Sequence, residues 1–282
     1  MLNRYAFVLA FLAAFAPRTS TASHIMGSEL TYHWLGGLDY EITLVVVRDC
    51  GGIMLPDSSV VEVRSILCGV NTTMWISSVD TVEVANGCSS WITTCNGGSY
   101  PGAQLYFYRD TVTLSGNCAD WTFTWLSCCR NDAIINLDSP GGLDLFISAS
   151  LDNLNFPGNS SPIFQELAGA YVCMNSPFCL PNATYDADGD SLVYIRVLPM
   201  EAGGVPIPYA AGYSVADPFP SSTGHVFDPV TGNHCSTPNV AGQYVVAYDV
   251  LEYRSGALVG TAHRDVQLWV ITCPVATVDV VG

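Results

Sequence analysis

Short runs of β-branched and aromatic residues recur along the chain between clusters of Gly, Pro, Asn and Asp, and helical periodicity is nearly absent. This pattern predicts an all-β protein. In Tyr40-Glu-Ile-Thr-Leu-Val-Val-Val-Arg48 the alternation places Tyr40, Ile42, Leu44 and Val46 on one face of a strand. The segments 104–114 and 120–126 continue the theme, the second alternating Trp121, Phe123 and Trp125 with Thr122 and Thr124. Such an aromatic stripe can serve as a carbohydrate platform, but at period two it reads as a core face. Residues 143–150 are expected to close a first module. Asn155-Phe-Pro-Gly-Asn-Ser-Ser-Pro162 then has the composition of a linker. Beyond it, Ser191-Leu-Val-Tyr-Ile-Arg-Val-Leu198 resumes the strand pattern. Two long alternating runs, 243–253 and 257–270, flank Arg254-Ser-Gly256 as a predicted hairpin.

The expected architecture is two tandem Ig-like or cadherin-like β-sandwiches stapled by disulfides. The first spans residues 23–154 and the second 163–273, with 155–162 between them and 274–282 as an apolar tail. Residues 1–22 read as a signal peptide, with Arg4 ahead of the apolar run Tyr5–Ala16 and small residues at Ser20, Ala22 and Ser23. That run is too short to cross a hydrocarbon core of about 30 Å. A secreted or cell-surface protein with no transmembrane segment after signal removal is therefore expected.

Composition narrows the function. The chain has no Lys, nine Arg and 25 acidic residues, for a formal net charge of -16. Schiff-base catalysis by lysine is excluded, and nucleic-acid or anionic-membrane partners are disfavoured by charge. Eleven cysteines in an exported chain point to disulfides, and the odd count leaves one without an intrachain partner. Short spacing nominates Cys88–Cys95 and Cys173–Cys179 as local staples. Cys128 and Cys129, adjacent in a strand, are expected to serve two separate bridges, because successive side chains point to opposite faces.

Several segments resemble, in order, a family of large secreted surface proteins of gliding bacteria: Ser23-His-Ile-Met-Gly-Ser-Glu-Leu-Thr-Tyr32, Arg48-Asp-Cys50, Cys128-Cys-Arg-Asn131, Leu151-Asp-Asn153, Asn159-Ser-Ser-Pro162, Asp186-Ala-Asp-Gly-Asp-Ser-Leu-Val-Tyr194, Glu252-Tyr-Arg-Ser-Gly256 and Arg264-Asp265. The resemblance implies Ig-like or cadherin-like extracellular modules, associated with gliding motility or carrying PKD repeats. No PKD repeat or C-terminal sorting domain is visible in this chain.

The sharpest candidate site is Asp186-Ala-Asp-Gly-Asp190. Three carboxylates in five residues repel one another unless solvated or bridged by a cation, and hard oxygen ligands suit calcium. Asp186, Asp188 and Asp190 are the expected metal ligands, with Asp249 and Asp265 able to complete the set. The alternative is a solvated turn in which Gly189 takes a positive φ. An EF-hand is excluded, since its sixth and twelfth positions fall on Ser191 and Val197.

A second candidate is His24, which as a mature N-terminus could chelate copper with His33, His225, His234 or His263. The more natural cut before Ser23 argues against it, and these histidines read as surface or hydrogen-bonded core residues. The sequons at Asn71, Asn159 and Asn182 suggest exposed loops. No GxSxG, HExxH, GxxxxGK[ST] or GxGxxG motif occurs. The expected role is a non-enzymatic structural or adhesion module that contacts surface or matrix proteins or polysaccharides. The alternatives are a self-associating fibre subunit that adds strands through residues 275–281, and a secreted carbohydrate-active enzyme, either a copper monooxygenase or a hydrolase.

Overall fold

The computed structural model describes residues 25–84, 92–165 and 169–273, leaving aside the side chains of 169 and 170. The signal segment, His24, Cys88 and the tail 274–282 lie outside the described residues. Within them the chain is all-β, with three single-turn 3-10 segments and no α-helix. Among the described residues no helix is long and apolar enough to cross a membrane.

The first half contributes β1 (Ile25–Gly36), β2 (Asp39–Asp49), β3 (Ser58–Ser65), β4 (Val70–Glu83), β5 (Ala103–Thr113), β6 (Trp121–Ser127) and β7 (Leu145–Leu151). Short strands come next: β8 (Ile163–Phe164), β9 (Gly169–Cys173), β10 (Phe178–Leu180) and β11 (Thr184–Tyr185). After them come β12 (Ser191–Val197), β13 (Met200–Glu201), β14 (Val205–Pro206), β15 (Ser221–Phe227) and β16 (His234–Pro238). The chain ends in the hairpin β17 (Gly242–Arg254) and β18 (Ala257–Ile271). Its two-residue turn has Ser255 at φ 52° and Gly256 at φ 82°. Two positive φ values make the primed turn whose twist suits a hairpin.

The first seven strands are ordered in the sheet as β1-β2-β5-β4-β3-β6-β7, and β18 joins both ends. One edge of β18 pairs with β17 along its length. The other edge meets β7 at Gly260–Ala262, then β1 at Arg264–Val266, then β9 in parallel at Gln267–Ile271. The first-half sheet therefore closes into a ring through a strand from the far end of the sequence. Its interior holds Tyr40, Ile42, Leu44 and Val46, as the alternation predicts, together with Trp121, Phe123 and Trp125. The aromatic stripe is core, and Thr122 and Thr124 face outward.

The second half is layered. β12, β17 and β18 form one side, and the small sheet β10-β16-β15 the other, with Tyr244, Val246, Tyr248, Val266 and Leu268 between them. A further cluster joins Met26, Val45, Val47 and Leu105 of the ring to Trp269 of β18. The two expected modules thus share a strand and a core, which the tandem picture does not include. The stretch 155–162 is pinned as well: Asn159 through Pro162 are buried, and the Ser161 and Ser160 hydroxyls accept the backbone N–H groups of Tyr32 and Trp34.

Both proposed local staples are replaced by longer ones. Cys95 pairs with Cys50, Cys173 with Cys273 and Cys179 with Cys235. Sheet register explains two of these. Cys179 lies directly opposite Cys235, and Cys173 lies beside Ile271 at the end of the parallel β9–β18 pair. Cys68 bonds Cys118, and Cys128 bonds its neighbour Cys129 rather than serving a separate bridge. All ten cysteines among the described residues are thus paired. This many disulfides indicate an oxidising, extracellular-type environment.

Candidate metal centre

The acidic turn 186–190 leads directly into β12, which pairs with the end of β17 so that Ser191 faces Tyr253 and Leu192 faces Glu252. Register therefore delivers Glu252 and Arg254 to the turn. Gly189 takes φ 79°, the positive value the turn requires. Asp186 Oδ1 accepts the backbone N–H groups of Asp188 (3.0 Å) and Asp190 (2.8 Å), which folds the loop around its carboxylate. Asp188 turns away and accepts the Ser160 N–H at 2.6 Å.

The carboxyls that converge are those of Asp186, Asp190 and Glu252, whose nearest oxygens lie within 4.8 Å of one another and could hold a metal ion. Two of the three expected ligands are thus brought together. The third, Asp188, secures the 155–162 segment. Asp249 and Asp265 do not join: Asp249 bonds His263 Nδ1 at 2.6 Å, and Asp265 pairs with Arg130. Glu252 takes the place expected for them. One sequence signal could have found it. Tyr244, Val246, Tyr248 and Val250 line the buried face of β17, and period two carries Glu252 onto that same face.

The electrostatics are lopsided. Arg254 forks onto Asp190 with bonds of 2.7 and 2.5 Å, donates to Asn159 Oδ1 at 2.7 Å and lies 3.8 Å from Asp188. That guanidinium holds the Asp190 carboxyl below its usual range. Glu252 is fully buried. It accepts one bond from Asn159 Nδ2 at 3.0 Å. Burial, reinforced by the charge of Asp186, pushes it up to about 9 despite that bond. Glu252 Oε1 and Asp186 Oδ2 are both buried without a hydrogen-bond donor. Asp188, Asp190 and Glu252 thus share one guanidinium, and two acceptor oxygens, on Glu252 and Asp186, remain for a cation or a shared proton.

Two sequons prove structural. Asn159 and Asn182 are fully buried. Asn159 bridges Glu252, Arg254 and the Tyr32 hydroxyl. Asn182 donates to the Gly232 carbonyl and accepts from Arg264. Neither can carry a glycan in this fold, whereas Asn71 is exposed.

Of the histidines considered for copper, His33 is exposed and the other three are engaged inside the fold. The Phe219 carbonyl accepts from His225 Nε2 at 2.9 Å, so His225 Nδ1 must accept from His234 Nε2 at 3.0 Å. His234 Nδ1 then accepts the Tyr248 hydroxyl at 2.8 Å. Burial pushes His225 down and takes His234 to about 3, with the neighbouring His225 adding to the latter.

No family model and no curated protein matches the chain. Among solved structures it is similar to one described as titin Ig tandem domains A164-A165, at 11% identity and a TM-score of 0.20. That match covers 88% of this chain and 99% of the other. It is a coarse likeness between β-rich chains and assigns no function to this one.

Proposed function

We propose that this chain is a secreted, non-enzymatic structural or adhesion module of the cell surface or extracellular matrix, whose acidic centre is closed by calcium. The observation that carries this reading is the convergence at one buried centre of segments far apart in sequence. The 159–162 stretch, the 186–190 turn and Glu252-Tyr-Arg254 meet there, and Asn159 also contacts Tyr32 of β1. Their side chains hold elements of the two halves together, so a cation there would rigidify the scaffold. Carboxylate oxygens favour calcium, whose flexible shell of six to eight oxygens can be completed by water. Two further buried ion pairs, Arg130–Asp265 and Arg264–Glu29, likewise join segments far apart in sequence.

The test combines melting with binding. Calcium should raise the melting temperature, EGTA should reverse the rise, and Asp186→Ala should abolish it. Immobilised protein should retain components of cell-envelope or matrix fractions without turning them over. A calcium-insensitive melt would remove the metal, and turnover of a glycan would remove the non-enzymatic reading.

A further inference from the structure

The outer face of the ring carries a cleft that the acidic centre does not use. Along β4, β3, β6 and β7 the strand registers align outward-facing side chains in rows. One row reads Asn71, Arg64, Thr122 and Ser150, and the next Thr73, Glu62, Thr124 and Ser148. The row beyond holds Trp75 beside Val60 and Leu126 beside Phe146. Trp75 is 67% exposed in spite of its size. Hydroxyl-bearing rows with one carboxylate and one guanidinium thus run parallel to an apolar row ending in aromatic rings.

Two walls give this surface depth. On one side the 65–67 turn is held by Asp120, whose carboxylate accepts the Ser65 hydroxyl at 2.5 Å and the Ile66 and Leu67 N–H groups at 2.9 Å each. On the other, Gly203 lines the cleft, and the adjoining Gly204 backs onto Phe146. The space between is about 390 Å³, within the range of small-ligand clefts, roughly 300–1,000 Å³.

We infer that this cleft binds an uncharged glycan chain lying across the strands, with one sugar ring in the cleft against Leu126 and Phe146, hydroxyls on the Glu62, Thr124 and Ser148 row, and the chain running on over Val60 to Trp75, which stands outside the cleft's lining. The inference names a ligand class for the extracellular role proposed above and rests on that reading for its setting. Three features favour this occupant. The floor strands are paired with neighbours on both sides, so a peptide cannot add as a strand and a ligand must be read by side chains. A sugar offers both an apolar face and a rim of hydroxyls, which matches an apolar row laid beside a polar one. The net charge of -16 repels polyanions, and the cleft itself carries Glu62 and Asp120 against Arg64. The three strand spacings from β4 to β7 span roughly 14 Å, room for about three sugar units.

The experiment is titration of the full mature chain with cellohexaose, xylohexaose and laminarihexaose, followed by calorimetry and tryptophan fluorescence. At least one hexaose should bind with a change in emission. Trp75→Ala, at an exposed position, should weaken binding about tenfold. Thr124→Val, which keeps the branched shape and removes one hydroxyl, should weaken it about fivefold. Absence of binding by all three sugars at millimolar concentration overturns the inference, as does binding that neither variant alters or a preference for polygalacturonate. EGTA should leave sugar binding unchanged, because β4, β3, β6 and β7 carry no ligand of the acidic centre. A calcium-dependent melt without sugar binding would therefore sink this inference and leave the metal reading intact.

Discussion

Two of the places where the fold buries charge are built differently. Where β1, β7 and β18 meet, adjacent residues of β18 point to opposite faces and each finds one counter-ion. Asp265 takes a two-pronged bond from Arg130 at 3.1 and 2.9 Å, and Arg264 Nε lies 3.0 Å from Glu29 while its guanidinium stacks over Phe164. At the acidic centre Arg254 alone serves Asp188, Asp190 and Glu252, and Asp186 converges with the last two. The first cluster is balanced within the chain and acts as a joint. The second is short of positive charge, and three of its carboxyls could hold a metal ion. Even at the joint, desolvation is costly: burial pushes Glu29 up to about 7 against the pull of Arg264.

The largest expected effect comes from unbalancing the joint. Asp265→Ala leaves Arg130 buried without its counter-ion and should cost about 3–5 kcal/mol. Urea unfolding measures this, and a loss under about 1 kcal/mol would show that the pair does not act as a joint. Next comes completion of the acidic centre. Calcium at a hundred times its Kd should add about 2.7 kcal/mol. Glu252→Gln should abolish that gain without lowering the calcium-free melting temperature, because its amide can donate toward Asp186 Oδ2. If the variant melted lower without calcium, the carboxyl would have a structural role of its own.

A third effect is read out by pH, at the buried His225–His234 pair and at Glu29 of the joint. His234 is held far below its ordinary 6.5. Below that value the unfolded chain takes up a proton the fold refuses. Its contribution is therefore complete above pH 6.5 and declines toward pH 3, by at most about 1.4 kcal/mol per pH unit. Glu29 has the opposite sign. Its carboxyl is raised, so its contribution is complete below about 4.5 and disappears as pH rises through about 7. His234→Gln should flatten the rising limb of the stability curve between about pH 3 and 6.5, and Glu29→Gln the falling limb between about pH 4.5 and 7. Limbs unchanged in the variants would count against these assignments. The smallest effect belongs to the exposed pair Arg109–Glu41 at 3.5 Å. Arg109→Ala should change stability by less than about 1 kcal/mol, and a larger change would mean that solvent screens this surface less than expected.

Much of the local structure was legible in the residues. Period-two alternation identified the core faces of β2 and β6 and the β17–β18 hairpin, because a half-buried strand writes its burial directly into its sequence. The acidic turn was legible too, since its carboxylates and Gly189 are contiguous. Glu252 was only half legible: its place on an apolar face was visible, but its partner strand was not. The cysteines misled, because short spacing says nothing about register, and register is what sets Cys179 opposite Cys235. The sequons misled for a related reason: Asn159 and Asn182 look like loop residues until the charges they serve, Arg254 and Arg264, are seen beside them.

By itself, then, the sequence determined the all-β class, the core faces of β2 and β6, the hairpin turn and the acidic character of one loop. Each of these depends on neighbours within a few residues. Tertiary structure alone decided that β18 closes the ring, which cysteines bond, which charges balance and which are left wanting. Those outcomes depend on contacts between segments far apart in the chain, and nothing in local periodicity encodes which distant strand arrives at a given edge.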